Sequence, residues 1–367
     1  MRERVLVAMS GGVDSSVAAA LLAEQGYEVI GATMKLFCYG DEVPDRPCCS
    51  LDSINDARRV CEQIGAPHYV LNLETAFGRD VVQNFVSEYA AGRTPIPCVR
   101  CNTFTKFRDL LRKADALDAA YIATGHYARA VGGALYRGRD HAKDQSYFLW
   151  GIDRAVVDRM LLPVGELTKR ETRERAHAMG LEVVAEKVES QDICFVPDGD
   201  HTTVLAKHLG ADAPALAPGP FVTSDGRVVG MHTGYARFTI GQRRGLPGGS
   251  AQPMYVTAIR PATREVVIGP REELLGRGVV ARELNWLTHT PPSVGTQVLV
   301  QVRHRAPPAA AEVVRLDTDE IELALDEPVA AITPGQSLVL YDGDRVLGGG
   351  LIERSHATRP TLPVLAA

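Results

Sequence analysis

The chain has 367 residues, is 45% hydrophobic and carries a formal net charge of -5. That length suits two to three domains with real cores, and the acidic balance excludes a chain-wide basic coat for nucleic acid while leaving room for a local basic surface. No apolar run approaches the roughly 20 residues that span a bilayer, and the start, MRERVLVAMSGGVDSS, lacks the apolar stretch and cleavage pattern of a signal peptide. A cytoplasmic location with no membrane partner is therefore expected.

Taken in chain order, Arg4 to Met9 read as a short buried strand, SGGVDSS as a glycine turn, VAAALLAEQG as a helix ending at Gly26, and YEVIGATMKLF as the next strand. This is the opening of an open α/β sheet. SLDSINDARRVCEQIG predicts a second helix with Ser50 or Asp52 as cap, HYVLNL a third strand, and FGRDVVQNFVSEYAAG a third helix. RTPIPCVRCN is read as a loop, followed by a helix from about Phe104 to Lys113. DAAYIATGH reads as a fourth strand running into a Gly-His pair, and LTKRETRERAHAMG as a charged helix with one solvated face. A short helix and the linker ADAPALAPGP then mark a change from α/β to β, with short strands between Gly, Pro and Asp turns. From about Val280 to Ile352 the pattern fits a small β-barrel or sandwich. The expected domains are an α/β domain over 1–210, a small central domain over 211–277, a C-terminal β domain over 278–353 and a tail over 354–367.

Ser10 to Ser16 is the strongest local signal. Gly11 and Gly12 allow a tight turn, and the following helix N-terminus offers N–H groups to a phosphate. Ser10, Ser15 and Ser16 add hydroxyls. Asp14 has two uses open to it: holding magnesium or orienting the loop. The lysine and spacing of a Walker A loop are absent. The seven cysteines all fall within the first 194 residues, and an odd count in a long chain does not read as a disulfide framework. Cys61 sits among the apolar positions of a helix and reads as core. Cys38, Cys48 and Cys49 fit packing or zinc, with no standard zinc spacing.

SGGVDSS resembles the pyrophosphatase-type loop of enzymes that adenylate a carbonyl oxygen. Together with GRTPIPCVRCN, ATGHYA, KDQSYFL, SQDICF, FTIGQRRGL, TPGQ and LGGGLI, it makes nearly the whole chain similar to the bacterial tRNA-specific 2-thiouridylase family. The resemblance implies an α/β fold class: an N-terminal open parallel-sheet adenine-nucleotide domain, a small central domain and a C-terminal β-barrel. It implies that ATP with Mg2+ adenylates the C2 carbonyl of wobble uridine 34 in tRNAs for Lys, Glu and Gln, and that sulfur replaces the oxygen. ATP contacts carry over to Ala8, Met9, Ser10, Gly11, Gly12, Val13, Asp14 and Ser15, with Met34 and Gly125 beside the nucleotide. The persulfide carrier maps to Cys194 and the nucleophile to Cys101. An upstream sulfur-donor protein, or sulfide, is implied as partner. Contacts to tRNA carry over to Ile96, Pro97, Cys98, His126, Lys143, Asp144, Gln145, His304, Arg305 and Gln336.

Three of these positions, in two segments, depart from the family pattern. The segment usually written Asn-Pro-Asp reads Ile96-Pro97-Cys98 here, and a thiol cannot copy a carboxylate's hydrogen bonds. His304-Arg305 stands where Tyr-Arg is usual. The extra cysteine leaves two sulfur routes open: a Cys194 persulfide with Cys101, or sulfide on a [4Fe-4S] cluster held by Cys98, Cys101 and Cys194. Two rivals of other kinds remain in view. One is another carbonyl-adenylating enzyme, such as an amidotransferase synthetase or a tRNA-lysidine synthetase, which would not need the two cysteines. The other is a non-catalytic RNA-binding protein, against which the intact loop and cysteines argue.

Overall fold

The computed structural model describes residues 2–37, 51–187, 193–196, 199–250 and 252–360. Cys38, Cys48, Cys49 and the proposed Ser50 cap lie outside those residues. Two compact units divide the chain: one made of Met1–Val81, Cys98–Gly199 and Asp344–Val346, the other of Val82–Pro97, Asp200–Gly343 and Leu347–Ala367.

The first unit is built on a parallel sheet. β1 (Arg4–Ala8) lies between β2 (Glu28–Lys35) and β4 (Tyr121–Thr124), with β3 (His68–Asn72) beyond β2 and the short strand Met160–Leu161 beyond β4. Val5, Leu6 and Val7 are fully buried, as an unbroken apolar run in a central parallel strand requires. Helix α1 (Val13–Glu24) is apolar on nearly all sides and buries Val17, Ala18, Ala19 and Leu22. An all-round apolar helix must be covered twice. The sheet strands cover one side, and Ala176, Leu181 and Val184 from the region of the helix Lys169–Ala178 cover the other. That second helix starts on a capping box, in which Thr168 and Glu171 satisfy each other's backbone N–H groups. Helix α2 (Leu51–Gln63) packs its Ile54, Ala57, Val60 and Cys61 inward. Cys61 belongs to this core, and burial pushes its thiol up to about 11.

Two helices differ from the sequence-based expectation, and in the same way. Residues Pro97–Arg100 are already helical and run without a break through Cys101–Lys106, wound as a π-helix, into the helix Phe107–Ala116. Cys98 and Cys101 therefore stand on a helix and not in a loop. Pro97 explains the start: its fixed φ and missing N–H suit the first helical position. A second π-helical turn, Gly78–Val82, joins Glu74–Phe77 to Gln83–Ala90. The 3.6-residue periodicity used to read helices cannot register such insertions.

The second unit is β-rich. Four strands pair in the order Tyr255–Arg260, Glu265–Gly269, Gly219–Thr223, Val228–His232. Further on, Leu275–Trp286, Glu320–Ala330, Ala309–Leu316, Gln297–Gln301, Ser337–Asp342 and the strand ending at His356 pair in sequence, and the last returns to pair with the first. That closure makes a barrel. Its interior holds Val279, Val300, Val313, Leu323, Leu325, Leu338 and Ile352, the inward positions of alternating strands.

Candidate active site

The C-terminal ends of β1, β2 and β4 converge, which is where open parallel sheets hold ligands. A cavity of about 260 Å³ lies there, lined among others by Ala8, Met9, Ser10, Asp14, Ser15, Met34, Gly125, His126, Gln145 and Cys194. Seven of the ten positions expected at the nucleotide thus face one space, together with one of the two expected sulfur-handling cysteines. Gly11, Gly12 and Val13 form the turn itself. Gly11 has φ +71°, and a Cβ there would meet the Ser53 carbonyl of α2 at 2.2 Å, so only glycine fits. Ser15 Oγ accepts from Ser10 N at 3.1 Å and Ser16 Oγ donates to Gly12 O at 2.9 Å. These bonds fold the loop onto the first turn of α1. The Gly12 N-cap has no side-chain partner, so that turn keeps donors for a phosphate.

Asp14 lies in the first turn of α1. Its two carboxylate oxygens accept from Lys169 Nζ at 2.7 and 2.9 Å, and Tyr127 Oη donates to Oδ1 at 2.8 Å. These bonds tie Asp14 to Lys169 and Tyr127, on elements far from the loop in sequence. On another side of the turn Lys187 Nζ donates to Gly11 O at 3.0 Å and pairs with Asp56. Lys106 lines the cavity with Phe107, Leu110 and Thr124. Lys169 and Lys187 escape the reading of the sequence. A signal was available, since lysine is rare in this chain while arginine is abundant.

His126 stands in the cavity wall beside Gly125. Its Nδ1 is 2.7 Å from Thr124 Oγ1. Burial, reinforced by the nearby Lys106 charge, pulls its pKa down to about 3, so it presents a neutral ring at physiological pH. Gln145 also faces the cavity, and its Oε1 accepts from Tyr127 N at 2.9 Å. Asp144, which the resemblance makes an RNA contact, is held by hydrogen bonds close to its own turn. Only 8% exposed, its carboxylate accepts from Gly138 N, Ser146 N, Ser146 Oγ and Arg137 Nη1. It ties the KDQS turn together. Lys143, the preceding residue, is half-buried.

Cys98 is exposed and Cys101 buried, although three residues along a helix places them on adjoining faces. The next residue, Asn102, is buried and donates from Nδ2 to Phe148 O at 3.1 Å. This bond anchors the cysteine-bearing segment to KDQSYFL. Among the described residues no group of three or more His, Cys, Asp or Glu side chains is placed to hold a metal ion. Cys98, Cys101 and Cys194 accordingly do not form a ready ligand set here.

The remaining positions belong to the second unit. Gln336 Nε2 donates to Thr94 O at 2.9 Å, within the segment leading to Ile96 and Pro97. A Cβ at the neighbouring Gly335, φ +90°, would lie 2.9 Å from Thr94 O. The TPGQ turn is thus a clasp on the backbone before Ile96. His304 and Arg305 occupy the turn after the strand Gln297–Gln301, and Arg305 is exposed with φ +63°. Arg243 and Arg244 of FTIGQRRGL are exposed as well. No helix among the described residues is long and apolar enough to cross a membrane.

A parallel sheet, a glycine turn entering a helix N-terminus and a cavity at the strand ends define a nucleotide-binding α/β protein with two appended β modules. Family models agree: residues 3–198 match the tRNA methyl transferase HUP domain, 202–270 the tRNA methyl transferase PRC-barrel domain and 276–352 the aminomethyltransferase beta-barrel domain. The chain is 48% identical to the tRNA-specific 2-thiouridylase MnmA of Carboxydothermus hydrogenoformans, covering 96% of this chain and 98% of that protein. It is equally 48% identical to the proteins of that name from Rhodospirillum centenum, covering 97% and 93%, and from Acidithiobacillus ferrooxidans, covering 96% and 98%. The chain belongs to the tRNA-specific 2-thiouridylase family.

Proposed function

We infer that this chain is an ATP-dependent tRNA uridine 2-sulfurtransferase. The observation that carries the reading is the cavity in which the phosphate loop and Cys194 face one another. Adenylation of a carbonyl and delivery of sulfur to the same carbon need those two parts side by side. The family models carry methyltransferase in their descriptions, but a methyl transfer has no use for a polyphosphate loop. Relatives matching from end to end are thiouridylases.

In the proposed reaction the O2 atom of uridine attacks the α-phosphate of ATP and pyrophosphate leaves. Loop amides and hydroxyls from Ser10 to Ser15 hold the phosphates, and magnesium enters bound to them. The terminal sulfur of a Cys194 persulfide then attacks C2. Cys101, as thiolate, attacks the Cys194 sulfur and breaks the S–S bond, while AMP departs with the former O2. The products are 2-thiouridine, AMP and a Cys101–Cys194 disulfide, which an external thiol reduces before the donor protein recharges Cys194. The neutral His126, Lys143 and Gln145 are assigned to the RNA, with Ile96, Pro97 and Cys98 near the base and His304 and Arg305 on the RNA backbone. Asp144 and Gln336 are assigned to holding the segments that carry these contacts. The proposed substrates are tRNAs for Lys, Glu and Gln, modified at uridine 34, and the protein works in the cytoplasm.

The test is mass spectrometry of tRNA digests after incubation with ATP, a persulfide donor and a thiol reductant. A mass increase at uridine 34 that requires ATP is expected, and its absence removes the reading.

A second sulfur route is favoured by one observation, the cysteine at position 98 one helical turn from Cys101. A [4Fe-4S] cluster on Cys98, Cys101 and Cys194 would, when bound, supply sulfide to the same carbon. The three thiols do not stand as a ligand set among the described residues of this structure. Anaerobic reconstitution of the wild type and Cys98→Ala, with an iron count and visible spectrum, separates the routes. Iron held by the wild type and lost in Cys98→Ala selects the cluster.

A further inference from the structure

Asp14 poses an electrostatic problem. A carboxylate on the first turn of the helix that receives ATP faces the same space as the polyphosphate, and like charges in a partly dehydrated site repel strongly. The sequence offers no remedy nearby, because SGGVDSS has no cation. The structure supplies one from 155 residues away: Lys169 Nζ spans both Asp14 oxygens at 2.7 and 2.9 Å. The ammonium is itself well shielded, its side chain 12% exposed, and is not among the residues lining the cavity. It sits behind the carboxylate.

Nothing about this lysine is loosely held. Its backbone N–H donates to Asp140 Oδ2 at 3.0 Å, and it follows Thr168, whose capping box fixes the start of the helix. The Tyr127 ring lies 5.7 Å from the ammonium. Tyr127 Oη, which donates to Asp14, also stands 2.9 Å from Thr172 Oγ1 one turn further along that helix. Two residues of one helix, Lys169 directly and Thr172 through Tyr127, therefore grip a single carboxylate.

We propose that Lys169 is a positioning residue that offsets the Asp14 charge within the phosphate loop, so that the helix N-terminus stays electropositive toward ATP. The proposal rests on the nucleotide-site reading above. It makes the helix Lys169–Ala178 part of the ATP site although Lys169 does not line the cavity.

The test uses the full chain and ATP in magnesium-free buffer, so that metal contacts by Asp14 do not enter, with dissociation constants from titration calorimetry. Lys169→Met should weaken ATP binding about tenfold or more, a one-charge effect at short range. Lys169→Met combined with Asp14→Asn should return the constant to within about threefold of wild type, since the charge needing an offset is gone. A lysine that simply braces the fold, or that contacts phosphate itself, would not be rescued in this way. Persisting weak binding in the double variant therefore overturns the proposal, as does wild-type affinity in Lys169→Met alone. Should Lys169→Met fail to fold, as a melting curve would reveal, Asp14→Asn alone decides: binding at least as tight as wild type supports the offset, and weaker binding overturns it. A chain that showed this pattern yet made no 2-thiouridine would lose the sulfur-transfer reading and keep this one.

Discussion

A Cβ atom at Gly125 would stand 2.5 Å from the backbone nitrogen of Ser15 and 2.6 Å from the carbonyl carbon of Asp14. The end of β4 and the first turn of α1 meet backbone to backbone, in the stretch that receives the phosphates. Neither neighbour is a flexible side-chain tip, so a methyl group must push the helix start away. Gly125→Ala is expected to raise the KM for ATP at least tenfold with little change in tRNA affinity. Steady-state kinetics and a filter-binding assay on the same preparation check both halves.

The cavity holds Cys194, while adenylation needs only the loop. Cys194→Ser should therefore still release pyrophosphate in the presence of tRNA but form no 2-thiouridine. Trapping with an alkylating reagent after loading from a persulfide donor should label Cys194 in the wild type. Label confined to Cys61, whose thiol is raised to about 11 by burial, would contradict the assignment.

Gln336 offers a separation of roles. Its amide donates to the Thr94 carbonyl, so Gln336→Ala should cost about 1 kcal/mol of stability, the net worth of one such bond. Thiolation should fall with the loosening of the segment before Ile96, with tRNA affinity changed less than twofold or so. A large loss of tRNA affinity at unchanged stability would instead make Gln336 an RNA contact.

The ring of His126 resists protonation, its pKa having dropped from 6.5 to about 3. With the folded value below the unfolded one, the unfolded chain binds more protons once the pH falls under about 6.5, and stability declines from there toward pH 3. Each unit in that window costs up to about 1.4 kcal/mol from this group. His126→Asn should flatten the drop in Tm between pH 6.5 and 5; an unchanged slope would place the acid sensitivity elsewhere.

The parallel sheet and the phosphate loop were readable from the chain because both are local: a short apolar run, a glycine turn and a helix start within twenty or so residues. The barrel was readable as alternating short strands, though only the pairing of the strand Leu275–Trp286 with the one ending at His356 distinguishes it from a sandwich. What escaped was non-local or non-periodic. Lys169 and Lys187 reach the loop across more than 150 residues, and no window of sequence pairs them with Asp14 or Gly11. The family resemblance makes Asp144 an RNA contact, but no motif shows the four hydrogen bonds that its carboxylate accepts. The cysteine segment was read as a loop since its prolines and its extra residue hide the helical period.

That extra residue sets the aim of the thiols. Successive residues of an α-helix are offset by about 100° around the axis, and a π-helical turn takes up one residue more than the regular coil. Everything before Cys101–Lys106 is consequently rotated by about that angle against the downstream helix whose Phe107 and Leu110 line the cavity. If this stretch were wound as regular α-helix, Cys101 would leave its buried bearing without any change in the chain's chemistry. The helical winding thus works as an angular setting for sulfur, one that a single-residue deletion between Cys101 and Lys106 would reset.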